Sequence, residues 1–558
     1  MDSKLQIRNK SNIIYDRLKE KFTRNLMNFD GSEVDENLSE FANIFSRFLH
    51  AMYNSDIDKN KNDFEKSYFL NFTDQYLSNL SKDDLFNFYN QLVALASKGL
   101  VNENINDIKL LLSEIDLTDF EYEDYNWLEI LYLETMRLYL LVVRQGNNFE
   151  DIDKINEKIK QLKEIQENQE NMMLEDRSLS QMEIAQLVVL YNIIAALNEV
   201  NNFLEKGKPA QIEVKVEKFH DNIRDVMSNG LDPVFQHSIE NIIVGLEYII
   251  KNSIWKQLKT GTKADMFIEE MVSRGAENPI FQLLPSQVEA FNKGITDPRK
   301  SSIVVQMHTS AGKSFLAHYL IAQALQYDND AEIAYVVPTR ALVHQSLHDL
   351  RDTFKNMDYN IEATIPAYEI DKVEEELLDE KIDILVTTPE KLNLLVRSNH
   401  ESVKRLSFVV IDEAHNISDE NRGIALEFLL ATLKRKNDFI RTVLLTPFIK
   451  GDVNRELIAD WLGGDRGLPV YSKWRPTRQM ISILNRFKPE EDRFYKFELE
   501  TIKPEQDNVD FEYTEFKEEI TFSSPKPNNY KTMASSIAKR FINKGAVMIL
   551  AESPYHAE

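Results

Sequence analysis

Residues 301–325 read "SSIVVQMHTSAGKSFLAHYLIAQAL", and their texture changes twice. A β-branched apolar run gives way to a short polar loop, and the loop to apolar residues at helical spacing, so the order is strand, tight loop, helix. The loop ends in Gly312-Lys313-Ser314. A phosphate-binding loop usually reads GxxxxGK[ST], because backbone N–H groups and the opening turn of the helix receive the phosphates. Here Met307 stands at the first glycine position, and His308, Thr309, Ser310 and Ala311 follow before Gly312. Only Gly312 sits where the backbone must approach a phosphate closely. Lys313 would meet the β- and γ-phosphates as a point charge, and the Ser314 hydroxyl would ligate Mg²⁺. Taken alone, the same three residues also suit a chain that simply turns into a helix.

A second element, "LSFVVIDEAHNI" at residues 406–417, is a buried strand ending in two adjacent carboxylates. Phosphoryl transfer needs one carboxylate to hold Mg²⁺ and a polar group to orient the attacking water. Asp412 suits the first task and Glu413 the second, with His415 close enough to relay the nucleotide state. An acidic strand end that caps the next helix would explain this element by itself. It does not explain both elements together, each at the carboxyl end of a strand where parallel sheets bind ligands.

Around them, "AEIAYVVPT", "DILVTTP" and "RTVLLTP" alternate with helical stretches, which marks residues 275–470 as an α/β domain on a parallel sheet. Residues 1–265 instead repeat apolar positions at three and four, as in "WLEILYLETMRLYLLVV". Residues 151–209 predict two long helices around a polar turn, closed by Gly207 and Pro209. The expected fold class is therefore α plus α/β. Residues 471–530 read as a connector. Residues 531–558 give one helix and one strand, too little to cover a parallel sheet, and are expected to begin a second α/β lobe cut short at Glu558.

The net charge is −25, and residues 1–270 carry 47 acidic against 30 basic residues, most of that excess. Such a surface repels phosphate backbones at long range, so any nucleic-acid grip must be a local groove. There are no cysteines, which excludes disulfides, thiolate metal sites and a cysteine nucleophile. The first twenty residues lack the apolar core of a signal peptide, and no 18-residue apolar run occurs. A soluble, cytoplasmic protein without a membrane partner is expected.

The chain resembles the DEAD/DEAH-box helicases of superfamily two, built on paired RecA-like lobes. "DEAH" is intact at 412–415, "PTRALVHQ" from Pro338 resembles motif Ia, and "TTPEK" from Thr387 resembles motif Ib. "LLPSQVEAF" around Gln287 is similar to the adenine-reading Q motif, and "LLTPF" around Thr446 stands at motif III. "LIADWLGG" and "WRPTR" at 474–478 are similar to the Ski-type branch. The resemblance implies an ATP- and Mg²⁺-dependent helicase or translocase. Lys313, Asp412, Glu413 and His415 would be catalytic; Gln287 and residues 309–314 would hold the nucleotide, with Ser314 and Asp412 on the metal. Arg340 and Thr388 would contact a single nucleic-acid strand, DNA ranked before RNA. Phe281 could stack on the base or fill the core. Pro447-Phe448 departs from the usual Ala-Thr of motif III, which leaves a nucleotide-gated scaffold that never translocates as the alternative. No Gln/Gly/Arg-rich arginine-finger motif of the second lobe is present, so the chain is expected to bind ATP and hydrolyse it poorly. Acidic helical extensions in Asn/Lys/Ile-rich sequences resemble the helicase subunits of anti-phage defence systems such as Hachiman, which implies a protein partner on the helical region, a nuclease among the candidates. His344 and His348 have metal-ligand spacing but no third ligand, and the run at 371–381 reads as a solvated helix face.

Overall fold

The computed structural model describes residues 85–476 except 102, 118–124, 146–148, 176–179, 228–229, 259–263, 277, 329, 365–380, 419–421, 437–438 and 450–451, together with 481–487, 496–502 and 517–520. Residues 1–84, the acidic run at 371–380 and the segment 531–558 lie outside the described residues. Contacts divide the chain into two compact units, Tyr89–Thr477 and a second made of Met1–Phe88 with Arg478–Glu558.

The larger unit takes in α1 (Leu85–Val101) from Tyr89 onward, then α2 (Ile105–Glu114), α3 (Trp127–Arg144), α4 (Glu150–Glu175), α5 (Gln181–Lys206), α6 (Ile212–Met227) and α7 (Pro233–Lys251). The two long helices read from residues 151–209 are α4 and α5. Ser180 and Glu183 form a capping box that starts α5, and Gly207, at φ +64°, ends it. A Cβ at Gly207 would lie 2.7 Å from the Trp255 ring, so both conformation and space require glycine there. By length and composition α5 could cross a membrane, but 61% of its apolar window is buried inside the helical layer, as in a core helix. α3 is buried along nearly its whole length. The charge it carries inward is compensated: Arg137 donates to Glu134 at 2.9 Å, and Lys158 of α4 stands 3.6 Å from the same carboxylate.

After α8 (Ala264–Met271) and α9 (Pro285–Asn292) comes the α/β layer. Its elements are β1 (Ser302–Gln306), α10 (Lys313–Tyr327), β2 (Glu332–Val336), α11 (Arg340–Thr353), β3 (Ile361–Ala363), β4 (Ile384–Thr387), α12 (Pro389–Ser398), β5 (Leu406–Ile411), α13 (Arg422–Lys436), β6 (Arg441–Thr446), α14 (Asp452–Gly463) and β7 (Gly467–Tyr471). Seven strands pair in the order β3-β4-β2-β5-β6-β1-β7, all parallel. Their continuous apolar runs follow from burial on both faces. On one face Ala334, Val336, Val409 and Leu444 pack against Leu392, Leu395, Leu429 and Ala459 of α12, α13 and α14. On the other, Phe267 of α8 meets Phe315 and Tyr319 of α10 at 5.9 and 6.0 Å between ring centroids. The class expected from sequence, α-helical region followed by a parallel α/β layer, is the one observed.

The helical and α/β layers are joined within this unit. Phe149 packs edge-on against Phe281 at 5.1 Å, and Arg274 binds Asp153 of α4 and Glu205 of α5 at 2.9 and 2.6 Å. The Trp474 indole donates to the Glu103 carbonyl at 2.8 Å. Phe281 is therefore a core aromatic, 3% exposed. In the second unit β8 (Ile481–Phe487), β9 (Lys496–Ile502) and β10 (Lys517–Ile520) form an antiparallel sheet with β9 central, inside the stretch read as a connector.

Candidate nucleotide-binding site

β1 delivers the chain to residues 307–312 at the carboxyl edge of the sheet. Met307, fully buried, donates its N–H to the Thr446 carbonyl at 3.1 Å, which fixes the loop's entry beside β6. The loop then turns back on itself, with Ala311 N–H donating to the His308 carbonyl at 3.2 Å. Ser310 at φ +62° and Gly312 at φ +85° both occupy the left-handed region, a conformation that turns successive amides toward one point. α10 begins immediately, so its first amides face the same space. Thr309, Ser310 and Ser314 are exposed there, while Ala311 is buried.

Gln287 of α9 supports this loop from beneath. It is 4% exposed; its amide donates to the Gly312 carbonyl at 3.2 Å, and its carbonyl accepts from Leu284 N–H at 2.8 Å. Both ends of the side chain are thus engaged with protein. Ser286 adds a bond to the Ala311 carbonyl at 2.7 Å. The Lys313 ammonium donates to the Met307 and His308 carbonyls, each at 3.1 Å, and lies across the loop. Burial lowers its pKa, against an opposing pull from Glu413 and then Asp412, so lysine and both carboxylates share one field. His308 is driven down to about 4 by burial and by the positive charges of Arg475 and Lys313.

β5 delivers the acidic pair to the same edge. Asp412 accepts from the Tyr335 hydroxyl at 3.0 Å on one oxygen and from Glu413 N–H at 2.8 Å on the other. Glu413 sits at φ +52°, a strained conformation for a non-glycine residue of the kind that clusters at functional sites. His415 Nδ1 stands 3.1 Å from Glu413 Oε2 but outside hydrogen-bonding geometry, and its ring packs on Phe448 at 4.9 Å. Phe448 thereby joins the acidic turn to the end of β6.

The other residues singled out from sequence fall along the same rim. Arg340 is exposed on the first turn of α11, and Thr339 caps that helix by accepting from Leu342 N–H at 3.3 Å. Thr388 caps α12 by position but is 2% exposed, and its hydroxyl makes no hydrogen bond. A cleft lined by Val337, Pro338, Pro389, Glu390 and Asn416 runs from these helix starts to Asp412 and Glu413. His344 and His348 are exposed, and His348 faces Asp352 at 3.6 Å.

Two patterns agree, the loop chemistry and the order of the motifs along one parallel sheet. Residues 284–449 also match the family model described as DEAD/DEAH box helicase. Residues 284–449 form a DEAD/DEAH box helicase domain. The chain is 28% identical over 233 residues to the ATP-dependent DNA helicase Hel308 of Methanocaldococcus jannaschii, covering 41% of this chain and 18% of that protein. It is 25% identical over 295 residues to the Hachiman protein HamB of Bacillus cereus, covering 52% of this chain and 26% of that protein. The chain thus spans about a fifth to a quarter of the length of these relatives. Among solved structures, the DUF1998 helicase MrfA bound to DNA aligns over 38% of this chain and 30% of its own, with 18% identity and a TM-score of 0.31.

Within the helicase domain the residues present fit a magnesium nucleotide. The helix start, the Lys313 ammonium and the Ser314 hydroxyl face the phosphate side, and the carboxylates of Asp412 and Glu413 are within electrostatic reach. Sequence reading missed Tyr335; it placed Trp474 and Arg475 in the "WRPTR" motif but not the Trp474 bond to Glu103 or the Arg475 charge near His308. A tyrosine inside "EIAYVV" was the available signal, since a buried hydroxyl needs a partner. A second acidic group, Glu217, His220 and Glu247, has the proximity of a cation site. Arg224, 2.9 Å from Glu217 and 3.9 Å from Glu247, already brings positive charge to both carboxylates.

Proposed function

We propose that this protein is the ATP-dependent motor of a nucleic-acid helicase or translocase, and that it works within an anti-phage defence complex. The observation that carries this reading is the convergence of the Gly312 loop and the acidic pair at one edge of the sheet, with Lys313 feeling both carboxylates. In this reading the α10 amides and Lys313 bind the phosphates. Ser314 and Asp412 hold Mg²⁺, which when bound neutralises charge on the transferring phosphate. Glu413 orients the attacking water and accepts its proton, and the Phe448 contact of His415 passes the state of the acidic turn to β6. Arg340 and the amides opening α11 and α12 hold successive phosphates of one strand, DNA before RNA, without reading its sequence. Similarity to HamB supports the defence setting and a protein partner, a nuclease among the candidates, on the helical layer.

The test is steady-state ATPase activity with single-stranded, duplex and forked DNA and RNA. Weak turnover that single strands stimulate is expected, because no arginine-finger motif of a second lobe is present in the sequence. Glu413→Gln should lower turnover by about 10²–10⁴-fold, the usual worth of a general base, and Lys313→Ala should abolish it. Unchanged turnover in Glu413→Gln would remove that residue from its role. Absence of stimulation by every strand would favour the nucleotide-gated scaffold, which the Pro447-Phe448 pair at motif III also suits.

A further inference from the structure

We infer that Tyr335 is a positioning residue for the metal-bearing carboxylate, which the helicase motifs do not include. Resting on the nucleotide reading above, it assigns a task to a side chain outside the phosphate loop and the acidic turn.

Tyr335 is the fourth residue of β2, paired across the sheet with Val410 of β5 and Val386 of β4. Its neighbours Ala334 and Val336 belong to the core on the face of α12 and α13. By the two-residue period of a strand, Tyr335 projects to the opposite face, toward α10. There its ring lies 6.4 Å from the His318 ring of α10, the helix that opens at Lys313. The side chain is 2% exposed, and its hydroxyl donates to Asp412 Oδ2 at 3.0 Å. Asp412 Oδ1 already accepts from Glu413 N–H at 2.8 Å. The carboxylate is thus held by two donors on two different strands' chains, each using one lone pair and leaving others for a cation.

A carboxylate on a strand end turns freely about its last bond unless something outside holds it. Outer-shell partners of this kind fix the plane of a metal ligand, and their loss typically costs about 10–100-fold in metal affinity. Tyr335 also ties the two halves of the site: its ring packs on the helix below the phosphate loop while its oxygen holds the acid.

The experiment uses Tyr335→Phe, which keeps the ring and removes only the oxygen, in the full chain. A fluorescent ADP analogue is titrated with Mg²⁺ and with EDTA, beside thermal unfolding and an Asp412→Ala control. The parent should bind more tightly with Mg²⁺, and Asp412→Ala should lose that gain. Tyr335→Phe should lose about 10-fold of the Mg²⁺-dependent tightening, with EDTA affinity and unfolding temperature unchanged. A second variant, His318→Asn, which alters the ring contact and keeps the hydroxyl, should retain the Mg²⁺ effect. If Tyr335→Phe matches the parent in Mg²⁺ while Asp412→Ala does not, the positioning role is overturned and the nucleotide reading stands. If Asp412→Ala also matches the parent, both fall.

Discussion

Gly312 shows how tightly one position can be specified. Its φ of +85° disfavours any side chain, and a Cβ would lie 2.2 Å from the Gln287 amide nitrogen. Gly312→Ala should therefore destabilise the fold by about 1–3 kcal/mol and weaken nucleotide binding, read by chemical denaturation and by titration with fluorescent ADP. A variant as stable as the parent would show that the loop has an alternative path. Adding Gln287→Ala relieves the clash but not the backbone strain, so the double variant should recover only part of the loss. At this scale the sequence singled out Lys313, Ser314, Asp412 and Glu413 as residue types that few folds need in that order, and the structure brings them to one edge of the sheet. Tyr335 stayed hidden because its partner lies 77 positions away and it sits in a run that reads as sheet filler.

The strands show the same division. β1, β2, β4, β5 and β6 were legible as β-branched runs. β3 has only three residues, too few for a period, and β7 reads "GLPVY", with glycine and proline that argue against a central strand. Both are edge strands. Pro469 is tolerated because β7 pairs with β1 alone. α10 carries a buried cost of its own. His318, in contact with Thr353 at 3.1 Å, has its pKa pushed down to about 4 by burial. An unfolded histidine titrates near 6.5, so the unfolded chain binds the proton first. The stability tied to neutral His318 is complete above pH 6.5 and is lost as pH falls toward 4. Denaturation midpoints at pH 7 and pH 5 should differ more in the parent than in His318→Asn. Equal differences would assign the acid sensitivity elsewhere.

Across the larger unit, the helical and α/β layers are held by contacts of unequal worth. Arg274 is half-exposed, and its ion pairs to Asp153 and Glu205 are screened by solvent. Arg274→Ala should cost no more than about 1 kcal/mol. Phe281→Ala empties a buried ring site and should cost about 3–5 kcal/mol. Chemical denaturation of the two variants checks the order, and an equal cost would mean that the aromatic contact does not join the layers. The sequence announced a helical region and an α/β region but not this junction, because its residues, Glu103, Phe149, Arg274, Phe281 and Trp474, come from segments that no local pattern connects.

The strand order has a consequence for how the protein is made. β1, which leads into the phosphate loop, lies between β6 and β7, whose paired residues leave the ribosome 140 and 165 positions later, by the observed register of Ser302 with Thr442 and Gly467. The loop is synthesised early and gains its neighbours last. Until Thr446 has emerged from the exit tunnel, the growing chain carries an apolar strand without partners, in need of shielding from other chains, and until Tyr471 follows, one edge of that strand stays unpaired.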